Sequence, residues 1–149
     1  MWRAVIIGLV LLGGAPPGCA ERPATPGAVF GEWRVVAYTS GFVSAMSDAE
    51  ARAWVGRTAT YAPSRVSWHG TTCDEPTFTP GTWTPGAFSV HYQIRPSALG
   101  LEREVVETVE VGCPGAWTAP GSFLILDGER MFAPWDGVFF ELRRSDGGA

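Results

Sequence analysis

The sequence predicts a mainly β fold: a small antiparallel up-and-down barrel of about seven or eight strands with one or two short helices. Short runs rich in Val, Thr and aromatic residues recur along the chain, with turn signals between them. The C-terminal third divides into three such runs at Asp127-Gly128 and Asp136-Gly137, both strong hairpin signals. Clear helix punctuation is confined to the stretch around residues 47–56. A β-sandwich would use the same strands, but sequential hairpins favour the barrel.

The chain opens as an export signal over residues 1–18. Arg3 supplies a positive start, and Ala4 to Leu12 (AVIIGLVLL) an apolar run shorter than the ~20 residues a membrane span needs. Residues 19–29 form a Pro/Gly-rich linker, and the β domain runs over residues 30–144, with 145–149 a disordered tail. Its first strand is Glu32 to Tyr38, with Trp33, Val35 and Ala37 on one face. A short helix follows, in which Ser47 is the N-cap, Glu50 closes a capping box, Asp48 pairs with Arg52, and Gly56 supplies the stop. A helix this small covers the end of something larger.

Arg57 to Tyr61 and Arg65 to His69 read as a hairpin, with Val66 and Trp68 on its inner face and His69 on the outer. The two Thr-Pro-Gly units at Thr79 and Thr84 fit type II turns, although Thr84 also fits a helix N-cap with Pro85 at the first helical position. That second choice predicts a helix to about Tyr92. Arg103 to Cys113 is a strand with Val105, Val109, Val111 and Cys113 inward. "SFLIL", "RMFAPW" and "VFFEL" complete the domain as a three-stranded meander.

Charge and cysteine content locate the protein. Removing residues 1–18 takes only Arg3 among the charges, leaving ten basic residues against fifteen acidic ones. An acidic chain without lysine argues against a nucleic-acid partner. Three cysteines are present. If Cys19 is lipidated as the first residue of a mature bacterial lipoprotein, Cys73 and Cys113 pair without remainder. A cut after Ala20 would discard Cys19 and leave the same pair. The cysteine stands where the apolar run ends and the linker begins, which favours the anchor. Pro-Pro-Gly-Cys19 resembles the lipobox of bacterial lipoproteins, and Ala20 after the cysteine resembles the outer-membrane case, which implies a lipoprotein facing the periplasm; the alternative is a soluble periplasmic or secreted protein. His69 precedes Cys73 by four residues, but the spacing matches no zinc pattern, so a structural disulfide in an oxidising compartment is expected, with no metal and no cofactor.

Gly31-Glu32-Trp33 at the first strand resembles the Gly-x-Trp opening of the lipocalin and wider calycin superfamily. The resemblance implies a lipocalin-like barrel over about residues 30–144. It also implies that an arginine near the end of the last strand, Arg143 or Arg144, packs across Trp33 as a cation–π contact.

No nucleophile elbow, zincin motif or phosphate loop is present, so no enzyme activity is expected. His69 and His91 read as ordinary histidines. Two functions fit what remains. The first is a lipid-tethered envelope protein holding a small apolar ligand in a hollow barrel lined by Trp33, Val35, Trp68, Val109, Ile125 and Phe140. The second is a solid barrel that contacts an envelope protein, as an inhibitor or assembly factor, through loops bearing Trp83 and Trp117.

Overall fold

The computed structural model describes residues 24–145; the expected export signal, Cys19 and residues 146–149 of the expected tail lie outside the described residues. A 3-10 turn at Pro26–Val29 leads into β1 (Gly31–Ser40), followed by α1 (Asp48–Arg52), β2 (Thr58–Ala62), β3 (Arg65–Trp68), β4 (Thr71–Asp74) and β5 (Thr77–Trp83). Then come α2 (Pro85–Tyr92), a second 3-10 turn at Pro96–Leu99, β6 (Val106–Gly112), β7 (Phe123–Asp127), β8 (Arg130–Trp135) and β9 (Val138–Arg144). The nine strands form one antiparallel sheet in the order β4-β3-β2-β1-β9-β8-β7-β6-β5.

First and last strands pair, from Trp33 with Arg144 to Ser40 with Val138. The two edges, β4 and β5, are consecutive in the chain and separated only by Glu75 and Pro76. Two residues cannot cross an open nine-stranded sheet, so the sheet curls until its edges meet. Glu75 takes a positive φ of 53°, and β4 and β5 act as one strand kinked at that point. The first part pairs with β3 and the second with β6. With the two joined, the strands form an even-numbered meander, as a closed antiparallel barrel requires. Cys73 on β4 and Cys113, one residue beyond β6, stand at disulfide distance with Cα atoms 5.8 Å apart. Their bridge spans the place where the hydrogen-bond ladder changes partner.

Both β4 and β5 escape the sequence reading. Thr71–Asp74 is short and polar on one face, and Thr79-Pro80-Gly81 imitates a turn. Pro80 is tolerated because β5 is an edge strand, where a missing N–H breaks no ladder. The second Thr-Pro-Gly does start a helix: Thr84 Oγ1 accepts the Ala87 N–H at 3.2 Å, with Pro85 at the first position.

Alternation along β1 is broken by a bulge. Val35 pairs with Leu142 and Ala37 with Glu141, so Val36 is the extra residue. The bulge turns Ala37 outward, against expectation, and brings Tyr38 onto the inner core. Val105 likewise is exposed rather than inward, because β6 begins one residue later.

Two apolar layers result. The inner one gathers Trp33, Val35, Tyr61, Trp68, Leu124, Met131, Phe140 and Leu142 within the curl of the sheet. The outer one packs Phe88, Leu99 and Leu101, from α2, the second 3-10 turn and the segment just after it, on Val106, Ile125, Phe132 and Phe139. Strands β7 to β9 are therefore buried on both faces, which explains their continuous apolar runs.

Each end of the barrel is covered. At the end where β1 finishes, the Ser47–Glu50 capping box starts α1, Ala51 is fully buried, and Trp54 stacks on Trp68 and Phe140 at ring distances of 6.2 and 6.0 Å. The helix stops at Arg52, ahead of Gly56, whose N–H donates to the Val35 carbonyl. Where β1 begins, the first 3-10 turn buries Val29, and Phe30 meets Phe78 edge-on at 5.1 Å. Residues 24–29 thus belong to the folded domain, whereas sequence composition assigns them to the linker.

The bridge closes a 40-residue separation at the kink. Replacing both Cys73 and Cys113 by Ala is expected to cost about 3 to 4 kcal/mol of unfolding free energy, measured by denaturant titration.

Candidate functional site

The residues expected to line a cavity are packed against one another. Trp33, Val35, Trp68, Val109 and Phe140 all lie in the inner core with at most 1% of their surface exposed. Trp33 donates its indole N–H to the Val29 carbonyl at 2.8 Å. Trp68 donates to the Tyr61 hydroxyl at 2.7 Å, and Tyr61 donates in turn to the Gly121 carbonyl at 3.2 Å. Burial holds the Tyr61 phenol well above the usual tyrosine range. Gly121 has φ +92°, and a Cβ there would overlap Tyr61 Oη and Trp68 Nε1, so only glycine fits. The polar ends of these large side chains are thus satisfied by the protein itself.

Ile125 does not join them. Leu124 and Leu126 take the inward positions of β7, while Ile125 pairs with Phe132 and belongs to the outer layer under α2. None of the six expected residues lines the surface concavities beside the β8–β9 turn, α2, α1, β5 or the disulfide.

The arginine over Trp33 is Arg144, not Arg143. Its guanidinium carbon lies 4.4 Å from the indole centroid, and its two nitrogens donate to the Phe30 and Ala28 carbonyls at 2.8 and 2.9 Å. Strand parity decides between the neighbours: Leu142 points inward, so Arg143 points out, where it meets Glu141 at 3.0 Å. The glycine of the motif now has a reason. Gly31 has φ +133°, and a Cβ there would stand 2.7 Å from Arg144 Nη1.

Neither Trp83 nor Trp117 is an exposed loop indole. Trp83 ends β5, half-buried, with ring centroids 4.9 Å from His91, 6.1 Å from Tyr92 and 6.2 Å from Phe123. Trp117 is half-buried and donates to the Pro120 carbonyl at 3.2 Å. His69 sits in the β3–β4 turn with φ +41°, not on a strand face, and is exposed like His91. Among the described residues no group of three or more His, Cys, Asp or Glu side chains is placed to hold a metal ion.

The exposed apolar surface lies elsewhere. Phe42 and Val43, 84% and 69% exposed, occupy the loop between β1 and α1. Nothing in "SGFVSAM" has strand or helix periodicity, so the sequence gives no reason to single them out. The loop is tied to the β8–β9 turn: Gly41 N–H donates to Gly137 O at 2.7 Å, and Ala45 N–H to Asp136 O at 2.9 Å. Asp136 and Gly137 both have positive φ, 50° and 79°, the geometry of a type I′ hairpin turn.

Between this loop and α2 opens a groove of ≈ 250 Å³, lined by Val43, Tyr92, Phe123, Pro134, Trp135 and Phe139 together with the Asp136–Gly137 turn. The Tyr92 ring lies 5.4 Å from Phe139 and 6.2 Å from Phe123. Burial pushes the Tyr92 phenol up to about 12. Asp136 is the only charged residue lining the groove, and its carboxylate has neither a hydrogen bond nor an ion pair among the described residues.

No family model, no curated protein and no solved structure matches the chain.

Two outcomes follow from this geometry. Arg144→Met is expected to destabilise the fold by about 1 to 3 kcal/mol through loss of the cation–π contact and two carbonyl hydrogen bonds, and Arg143→Met by less than about 0.5 kcal/mol, both read by chemical denaturation. The second concerns pH. An unfolded tyrosine ionises near 10, whereas Tyr92 in the fold stays neutral to about 12. Its contribution is complete below pH ~10 and is lost as pH rises towards 12, because the unfolded chain releases the proton first. Stability measured from pH 8 to 11.5 should fall more steeply for the native chain than for Tyr92→Phe.

Proposed function

We propose that the chain is a protein-interaction module of the bacterial cell envelope, tethered through Cys19, whose solid barrel holds a recognition surface rigid. The observation that supports this over a hollow barrel is the filled interior: the five inner residues Trp33, Val35, Trp68, Val109 and Phe140 are buried against one another, and both indole N–H groups end on protein acceptors. A barrel that holds a small apolar ligand needs an apolar cavity and a way in. Here α1 and Trp54 cover one end, and the first 3-10 turn covers the other. The calycin resemblance gains support from the Gly31–Trp33–Arg144 unit, which has the geometry that resemblance implies.

The test is the intact mass of the protein isolated from its native envelope, under native and then denaturing conditions. The expected result is a chain that starts at Cys19 and carries a covalent lipid, with no small molecule leaving on denaturation. A chain starting at Glu21 refutes the tether. An apolar molecule that leaves on denaturation refutes the solid barrel.

A further inference from the structure

We propose that the groove between the Phe42–Val43 loop, the β8–β9 turn and α2 docks a protein segment that presents an apolar side chain beside a lysine or arginine. This rests on the reading of the chain as an interaction module, and it names the surface and the chemistry of the partner.

The first support is the pairing of exposure with order. Phe42 and Val43 stand in solvent, yet the backbone carrying them is held by the Gly41–Gly137 and Ala45–Asp136 hydrogen bonds. Gly137 is glycine because a Cβ there would strike the Val43 carbonyl, so loop and turn are in direct backbone contact. Exposed apolar side chains on an ordered backbone beside an aromatic groove need little reorganisation to be covered.

Charge selects the occupant. The neighbouring cations and anions are engaged: Arg57 lies over the Trp54 ring at 4.3 Å, Arg52 meets Asp48 at 2.7 Å, and Glu50 is held by Ser47. Asp136 alone offers the groove an uncommitted charge, and that charge is negative. Aromatic walls beside a carboxylate suit a cationic side chain that follows an apolar one into the groove.

The expected tether and the groove flank opposite ends of β1. Ala24 packs near Pro80, Gly81 and Thr82, at the end where β1 begins. Cys19 is five residues before it, a reach of at most about 18 Å. The Phe42–Val43 loop follows the other end of β1, ten residues and about 30 Å away.

The experiment titrates the ¹⁵N-labelled full protein, extracted from its native envelope, with two capped tetrapeptides, Ala-Leu-Arg-Ala and Ala-Leu-Glu-Ala. The expected result is movement of the Val43 and Gly137 amide signals and the Trp135 indole signal with the arginine peptide. Asp136→Asn, which keeps a residue tolerant of positive φ, should weaken that binding about threefold, the scale of an exposed ion pair. Phe42→Ser with Val43→Ser should weaken it further. Unmoved groove signals, or equal response to the glutamate peptide, overturn the proposal while the solid-barrel reading stands. Movement at Trp33 and Phe140 instead overturns the solid barrel. Groove signals that respond to phosphatidylethanolamine–phosphatidylglycerol vesicles and not to peptide assign the surface to lipid. Concentration-dependent broadening that Phe42→Ser abolishes assigns it to a second copy. Either result overturns the proposal.

Discussion

Closing an antiparallel sheet on itself requires one ladder between strands far apart in sequence, and here that ladder joins β1 to β9. Its lower rung is Trp33 opposite Arg144. Arg144 lies across the indole and reaches the Ala28 and Phe30 carbonyls, so one side chain ties the last strand to the first and to the turn that covers the barrel end. Gly31 leaves the space that arrangement occupies. The inner core forms only if this ladder is in register, because a one-residue slip would exchange Leu142 for Arg143 inside the barrel.

The second constraint is the kink at Glu75-Pro76. A single strand would run on and pair with the same neighbours throughout. The positive φ of Glu75 redirects it from β3 to β6, and the Cys73–Cys113 bridge holds the junction where no ladder continues. Both devices make closure possible with strands of only four to seven residues around the seam.

The interior and the surface then divide the work. Inside, Trp68, Tyr61 and Gly121 form a hydrogen-bonded chain in which every large residue has a fixed place. Outside, the β1–α1 loop and the β8–β9 turn meet at one end of the barrel. Phe42 and Val43 stay uncovered there, and the Asp136 carboxylate has no partner among the described residues. Rigidity in one region holds the surface of the other in a defined shape.

Elements whose cause is local are legible in the sequence. The C-terminal meander follows from two Gly-containing turns and α1 from the Ser47–Glu50 box, each set by residues within a few positions of one another, whereas Thr84-Pro85 fitted both a turn and the start of α2. The Cys73–Cys113 pairing followed from counting. Tertiary structure decided everything that depends on partners distant in sequence. It chose Arg144 over Arg143 by the register of β9, placed Ile125 in the outer layer because α2 covers that face, and made Thr79-Pro80-Gly81 a strand because an edge tolerates proline. The groove was illegible for the same reason. Val43, Tyr92, Phe123 and Trp135 come from four separate segments, and only closure of the barrel brings them together.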